Sequence, residues 1–299
     1  KFLSLFNEKN YVLDSLKKNY KDNFSKKLIN KYKKNSNFKV IGMGGSTLGT
    51  QTIYEFLKET VKKDFVFIDN LIQKKSKIKN KQSVNLVISK SGNTIETVVN
   101  SNIYIKRGER NIIITENKNN YLLKLANKLK AEIVHHNNYI GGRYSVLSEV
   151  GMLPAELMGL NPNKFRQLNL LIKNKQFINN LMSGVSSTFN YIKNKKYNSI
   201  ILNYDDKSEN LFNWYQQLVA ESLGKKSKGL LPIVSNMPKD NHSLMQLYLD
   251  GFKNNFYTFF YTSELNSESL KNSQILSSQK YLRGKNVSNI MYAQKIATE

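Results

Sequence analysis

Short runs rich in β-branched and aromatic residues recur along this chain, and stretches with helical spacing separate them. FKVI at 38–41, FVFID at 65–69, VNLVIS at 84–89 and NIIIT at 111–115 are such runs, and EIV at 132–134 is a fifth, shorter one before a loop that opens with His135 and His136. A parallel strand pair needs a crossover connection, so strands alternating with helices predict βαβ units and a parallel sheet. The rhythm restarts with SIILNY at 199–204, passes through a helical stretch around Trp214, and returns as GLLPIV at 229–234 and FYTFFY at 256–261. FLSLF and YVLDSL near the start have i, i+3, i+4 spacing and predict covering helices, and residues 144–160 read as one apolar helix. The expected fold is therefore α/β: two tandem doubly wound parallel sheets behind an N-terminal helical segment at 1–36. Their domains span 37–165 and 166–299, with the change-over within 160–197.

Composition narrows the chemistry. At 299 residues and 40% hydrophobic content the chain can bury two cores. Cysteine is absent, which excludes disulfides, thiolate zinc sites and Cys nucleophiles. Only His135, His136 and His242 supply imidazoles, no H-E-x-x-H spacing occurs, and no metal or other cofactor is expected. Mean hydropathy is −0.49, with neither an 18-residue apolar run nor a secretory signal pattern, so the expectation is a cytoplasmic protein with no membrane contact. The net charge of +24 asks for a polyanion, yet only five of 46 basic residues are arginine, the side chain that reads phosphates and base edges bidentately. Lysines are spread along the whole chain beside abundant Asn and Ile, as A/T-rich codons produce, and no nucleic-acid partner is expected.

Five segments carry candidate chemistry. GMGGSTLG at 42–49 follows a strand and precedes a helix; Thr47 stands where a dinucleotide fingerprint needs glycine, and no G-K-[ST] makes a P-loop. It is either a tight turn or flexible backbone, with the Ser46 hydroxyl, set against a small anionic ligand. SKSGNTIET at 89–97 gathers four hydroxyls, Ser89, Ser91, Thr94 and Thr97, around a helix start near Thr94, and that is how a phosphate is held without a metal. In GGRYSVLS at 141–148, Arg143 follows two glycines; it serves either a surface ion pair or an oxyanion. Gln217 and Glu221 share a face of an otherwise apolar helix, so Glu221 is either a solvated carboxylate or a partly desolvated base with a raised pKa. Finally, His242 stands in DNHS before an amphipathic helix, where a structural role competes with a catalytic one.

Taken in order, GMGGSTLG, SKSGNTIET, GGRYSVLSEVG, QLVAE and NHS resemble the glucose-6-phosphate isomerase (phosphoglucose isomerase) family over residues 42–243. The resemblance implies two sugar-isomerase (SIS) domains and metal-free aldose–ketose isomerisation of glucose 6-phosphate to fructose 6-phosphate through a cis-enediol(ate), in glycolysis and gluconeogenesis. It implies that Ser46, Ser89, Lys90, Ser91, Thr94 and Thr97 line the sugar-phosphate pocket, and that Ser89, Ser91, Thr94 and Thr97 hold the phosphate. Gln217 would position the substrate, Glu221 would move the proton, Arg143 would stabilise the enediolate, and His242, from the neighbouring subunit of a homodimer, would assist ring opening. Two departures stand out: Asn93 replaces a common threonine, its amide still able to donate, and no F-D-Q-x-G-V-E-x-x-K-like segment follows, Lys295 matching nothing there. With Lys1 in place of a starting Met, the expectation is a piece of a longer protein with its second domain incomplete. The alternative function is a non-catalytic sugar-phosphate-binding regulatory module; regulators of that kind join one such domain to a DNA-binding one.

Overall fold

The structure, a computed structural model, describes residues 4, 8–73 and 82–299. FLSLF, apart from Ser4, lies outside the described residues. The chain packs as two compact units, Lys1–Val185 and Ser186–Glu299.

In the first unit, α1 (Tyr11–Ser15) and α2 (Lys26–Tyr32) precede β1 (Asn37–Ile41), α3 (Leu48–Leu57) and β2 (Asp64–Ile68). Then come β3 (Val84–Ile88), α4 (Ile95–Tyr104), β4 (Arg110–Glu116), α5 (Tyr121–Leu129), β5 (Glu132–His136), α6 (Glu149–Leu157) and α7 (Leu168–Leu171); α8 (Lys175–Lys193) contains the division between the units. The five strands form one sheet in the order β2-β1-β3-β4-β5, every pair parallel. Burial follows strand position. All five residues of central β3 are buried, whereas edge strands β2 and β5 alternate between buried and more exposed positions. Ile41, Val87 and Ile113 from three adjacent strands join Tyr104 of α4 and Leu122 and Ala126 of α5 in one core cluster. Each fully buried aliphatic side chain there contributes about 1.5–3 kcal/mol.

Residues 144–160 are not one helix. A 3-10 turn spans Gly142–Leu147, Ser148 is extended (φ −102°, ψ −166°), and α6 starts at Glu149. Packing explains the break: a Cβ on Gly151 would lie 2.0 Å from the Val146 carbonyl oxygen, so the turn folds back against the helix. Ser148 Oγ, which would otherwise cap α6, donates to Ser145 O at 2.7 Å.

The second unit continues with β6 (Asn198–Asn203), α9 (Glu209–Leu223), β7 (Leu231–Asn236), α10 (Met245–Asp250), β8 (Asn255–Phe260) and α11 (Val287–Thr298). Its sheet runs β7-β6-β8, again all parallel. β7 begins two residues later than its apolar run, because Gly229 has φ +153° and the ladder opens where Leu231 N donates to Tyr197 O at 2.8 Å. Pro232, which lacks an N–H, is tolerated on this edge strand. Ile200, Leu202, Tyr204 and Met237 form the unit's core. No helix among the described residues is long and apolar enough to cross a membrane.

Candidate functional site

In an open parallel sheet, ligands bind outside the carboxyl ends of the strands where the order reverses. Here that point lies between β1 and β3: the chain leaves β1 toward β2 on one side, then returns to place β3 on the other. The loops at that point are the two that sequence reading singled out.

After β1 the backbone passes through Gly44 (φ +53°) into a short 3-10 turn, Gly44–Ser46. A Cβ on Gly45 would sit 2.3 Å from the Gly142 carbonyl carbon and 2.6 Å from Arg143 N, so the turn lies flat against the arginine turn and only glycine fits. Ser145 Oγ, with Gly142 O as its nearer acceptor (2.7 Å), also reaches Gly45 O at 3.3 Å. The packing thus joins Ser46 and Arg143 in one structure. Arg143 is half-buried, its guanidinium 4.6 Å from the centre of the Tyr144 ring.

After β3, Ser89 Oγ and Thr94 Oγ1 share a hydrogen bond of 2.9 Å, and Ser89 Oγ accepts from Gly92 N at 3.2 Å. Thr94 is the N-cap residue of α4 but makes no side-chain cap hydrogen bond, which leaves the helix's positive end open. Ser91 is exposed, and its Oγ accepts from Asn93 N at 3.3 Å. Thr97, in the first turn of α4, is 1% exposed, and its Oγ1 has no hydrogen-bond partner among the described residues. Lys90 is half-buried, its carbonyl fixed by Thr115 Oγ1 (3.2 Å) and Glu116 N (3.1 Å).

The loop's outer supports were not legible as such. Asn93 Oδ1 accepts from Tyr121 N at 2.9 Å, docking the loop onto α5, so the side chain is used as an acceptor rather than a donor. Asn120 caps α5 through Leu123 N at 2.9 Å and donates to Thr115 Oγ1 at 3.2 Å. Gly92 (φ +67°) has no room for a Cβ against Asn120. Asn before an apolar helical run was the available signal for that cap.

In the second unit, Gln217 Nε2 donates to Glu221 Oε1 at 2.7 Å, as i, i+4 spacing on one helix face requires. Gln217 is half-buried; its Oε1 has no partner among the described residues. Glu221 is exposed, so of the two readings left open for it the structure shows the solvated carboxylate; most of α9 is only partly buried, with Phe212 its one buried residue. His242 ends a 3-10 turn (Lys239–His242) beyond β7 and is exposed. Asp240 shapes this turn, accepting from Asn236 N at 2.8 Å and Ser243 Oγ at 3.0 Å. A cavity of about 330 Å³ opens near the ends of β6 and β7, with Asp205, Asp206, Glu209 and Glu264 among its lining. Four carboxylates repel a phosphate, which favours the first unit's loops as the anion site.

The arrangement can bind a phosphate monoester on hydroxyls, backbone N–H groups and a helix end, with a guanidinium alongside the neighbouring turn to meet developing negative charge. The sequence profile of the family described as phosphoglucose isomerase matches residues 6–229. A glucose-6-phosphate isomerase of Methanocaldococcus jannaschii is 36% identical over 80% of this chain and 63% of its own length. Another from Mesomycoplasma hyopneumoniae is 32% identical over 87% of this chain and 67% of its own. This chain thus spans about two thirds or less of these relatives. Among solved structures, a Thermus thermophilus protein described as hypothetical superposes with a TM-score of 0.80 at 21% identity, covering 99% of this chain and 78% of that one; it shares the fold.

Proposed function

The chain belongs to the phosphoglucose isomerase family, and we propose that it carries the site of a reversible isomerisation of glucose 6-phosphate to fructose 6-phosphate. The observation that carries this reading is the loop after β3, where four hydroxyl side chains surround an uncapped helix start at the switch point of the sheet. Ser89, Ser91, Thr94 and Thr97 hold the phosphate, with Lys90 and Ser46 completing the pocket. Thr97's buried, unpartnered hydroxyl supports that assignment, since such a group is otherwise costly.

Phosphate capture fixes the open-chain sugar so that its carbon atoms meet the acid–base groups. Glu221 takes the proton from C2 of the aldose and returns it to C1, forming and discharging a cis-enediol(ate). Arg143 faces the oxygen on which negative charge develops. Gln217, hydrogen-bonded to Glu221, orients the base and the substrate. His242 moves the proton needed for ring opening and reaches the site from the second subunit of a homodimer. The reaction belongs to glycolysis and gluconeogenesis and operates in the cytoplasm, where charged sugar phosphates are retained. Neither a nucleic acid nor a membrane takes part.

Thr94→Val and Ser89→Ala test the phosphate assignment. Each removes a hydrogen bond to a charged group, about 1.5–3 kcal/mol, and is expected to weaken fructose 6-phosphate binding about tenfold or more. Unchanged affinity in both variants would refute the loop's role. Tight binding without turnover in the intact protein would favour a regulatory binding module.

A further inference from the structure

We propose that His136 is a positioning residue for Arg143, its doubly protonated ring bracing both ends of the segment that carries the arginine. The proposal takes Arg143's role from the functional reading above, but its geometry stands apart from it. His136 closes β5 with its side chain 1% exposed. One ring nitrogen, Nε2, lies 3.1 Å from the Ile140 carbonyl oxygen, immediately before Gly141 and Gly142. The other, Nδ1, lies 3.3 Å from Glu149 Oε2, at the first residue of α6. Residues 141–148, with Arg143 among them, hang between these two anchors.

Both anchors are acceptors only. A backbone carbonyl has no proton to give, nor has an ionised carboxylate, so both contacts are hydrogen bonds only when each ring nitrogen carries a proton. Burial pushes the Glu149 carboxyl up, but hydrogen bonds from His136 and from Asn23 N (3.2 Å) outweigh it and hold the group below the ordinary carboxylate range. Tyr20 OH donates to the same carboxylate at 3.1 Å, its phenol pushed up by burial and then by Glu149. Arg166 and Asp22, paired with each other at 2.5 Å, also act on Tyr20, and Glu156 acts in turn on Asp22. Arg166 Nε and Nη2 also hold Leu147 O, at 3.1 and 2.9 Å, and its guanidinium covers the Tyr20 ring at 4.9 Å. Loss of one ring proton sets two lone pairs against each other and releases one anchor while Arg166 still grips Leu147. The arginine turn then loosens against the Gly45 backbone it packs on.

The test uses the full chain labelled with 15N-histidine, where three ring spin systems make assignment by His136→Gln direct. With both contacts made as hydrogen bonds, both His136 ring nitrogens are expected to carry protons in the folded chain. As pH rises and one proton leaves, amide exchange across 141–147, corrected for its intrinsic rate, is expected to speed up about tenfold. His136→Gln reaches one anchor at most and shows that fast exchange at every pH. Tyr20→Phe, which leaves both His136 contacts in place, keeps the pH response and controls for general loosening. In the intact enzyme His136→Gln is expected to lower kcat about tenfold with KM for fructose 6-phosphate nearly unchanged, because the phosphate loop is untouched. A His136 ring nitrogen that lacks its proton in the folded chain at every pH, or unchanged exchange in His136→Gln, would overturn the proposal. Absence of turnover in the wild type would instead strike the functional reading, with the ring and exchange measurements still deciding the brace.

Discussion

Gly45 is the residue on which the site's assembly turns. Any side chain there meets the Gly142 and Arg143 backbone rather than the flexible end of a neighbour. Gly45→Ala is therefore expected to cost about 1–3 kcal/mol in stability, read as a lowered Tm, and to reduce kcat more than KM because the arginine turn is displaced. Glu109 offers a separate test. It is a pair with Lys39 at 2.8 Å, both side chains about 95% withdrawn from solvent (4% and 5% exposed), and Asn85 Nδ2 also donates to it at 3.0 Å. Burial pushes its carboxyl up, yet the hydrogen bonds from Lys39, Lys106 N and Asn85 win and hold it below the ordinary range. A depressed folded-state pKa stabilises above the unfolded value, about 4.3 for Glu, and that stability is lost as pH falls through the folded value. Glu109→Gln should thus flatten the acid limb of the stability profile. At neutral pH it should destabilise by about 3–5 kcal/mol, since Lys39 is left buried without its partner. A variant as stable as wild type in urea at pH 7 would contradict this.

At the level of elements, what the sequence made legible is what period and composition control. Eight strands stand within two residues of their apolar runs, because β-branched runs bounded by glycine or polar residues have few other packed outcomes. The helix start at Thr94 and the turn at Gly44–Ser46 were legible for the same local reason. Contacts between distant segments were not. The turn that ends at Ser148 is held against the segment after β1, where a Cβ on Gly45 would meet Gly142 and one on Gly49 would meet Val146, and the exposure of Glu221 depends on what covers α9, so neither leaves a mark on local spacing. His136 and Glu149 pair across thirteen positions, with a partner from the N-terminal segment that no periodicity relates to them. Asn120 joins both kinds: it is a readable cap, and it also buttresses Gly92. Asn120→Ala should cost about 1 kcal/mol as a lost cap and weaken phosphate affinity, whereas an equal loss at the Asn10 cap of α1 should leave binding alone. Fructose 6-phosphate titrations of the two variants separate these outcomes.

For the molecule as a whole, two parallel-sheet units divide the proposed work, with the anion-binding loops and Arg143 in the first and Gln217, Glu221 and His242 in the second. The net charge of +24 is spread thinly in lysine, so retention on duplex DNA should be weak, indifferent to base sequence and abolished by moderate salt; tight, sequence-selective binding at physiological salt would point to a second role. The central claim is that Glu221 moves a proton on a sugar phosphate held by the loop after β3. Conversion of fructose 6-phosphate to glucose 6-phosphate, followed through a coupled dehydrogenase in the intact protein and its Glu221→Gln variant, addresses it most directly. The account predicts turnover that falls at least about a thousandfold in the variant while substrate affinity is kept, since general-base catalysis is worth about 10²–10⁴-fold. Turnover that survives in Glu221→Gln, or none in the intact wild type, would contradict it.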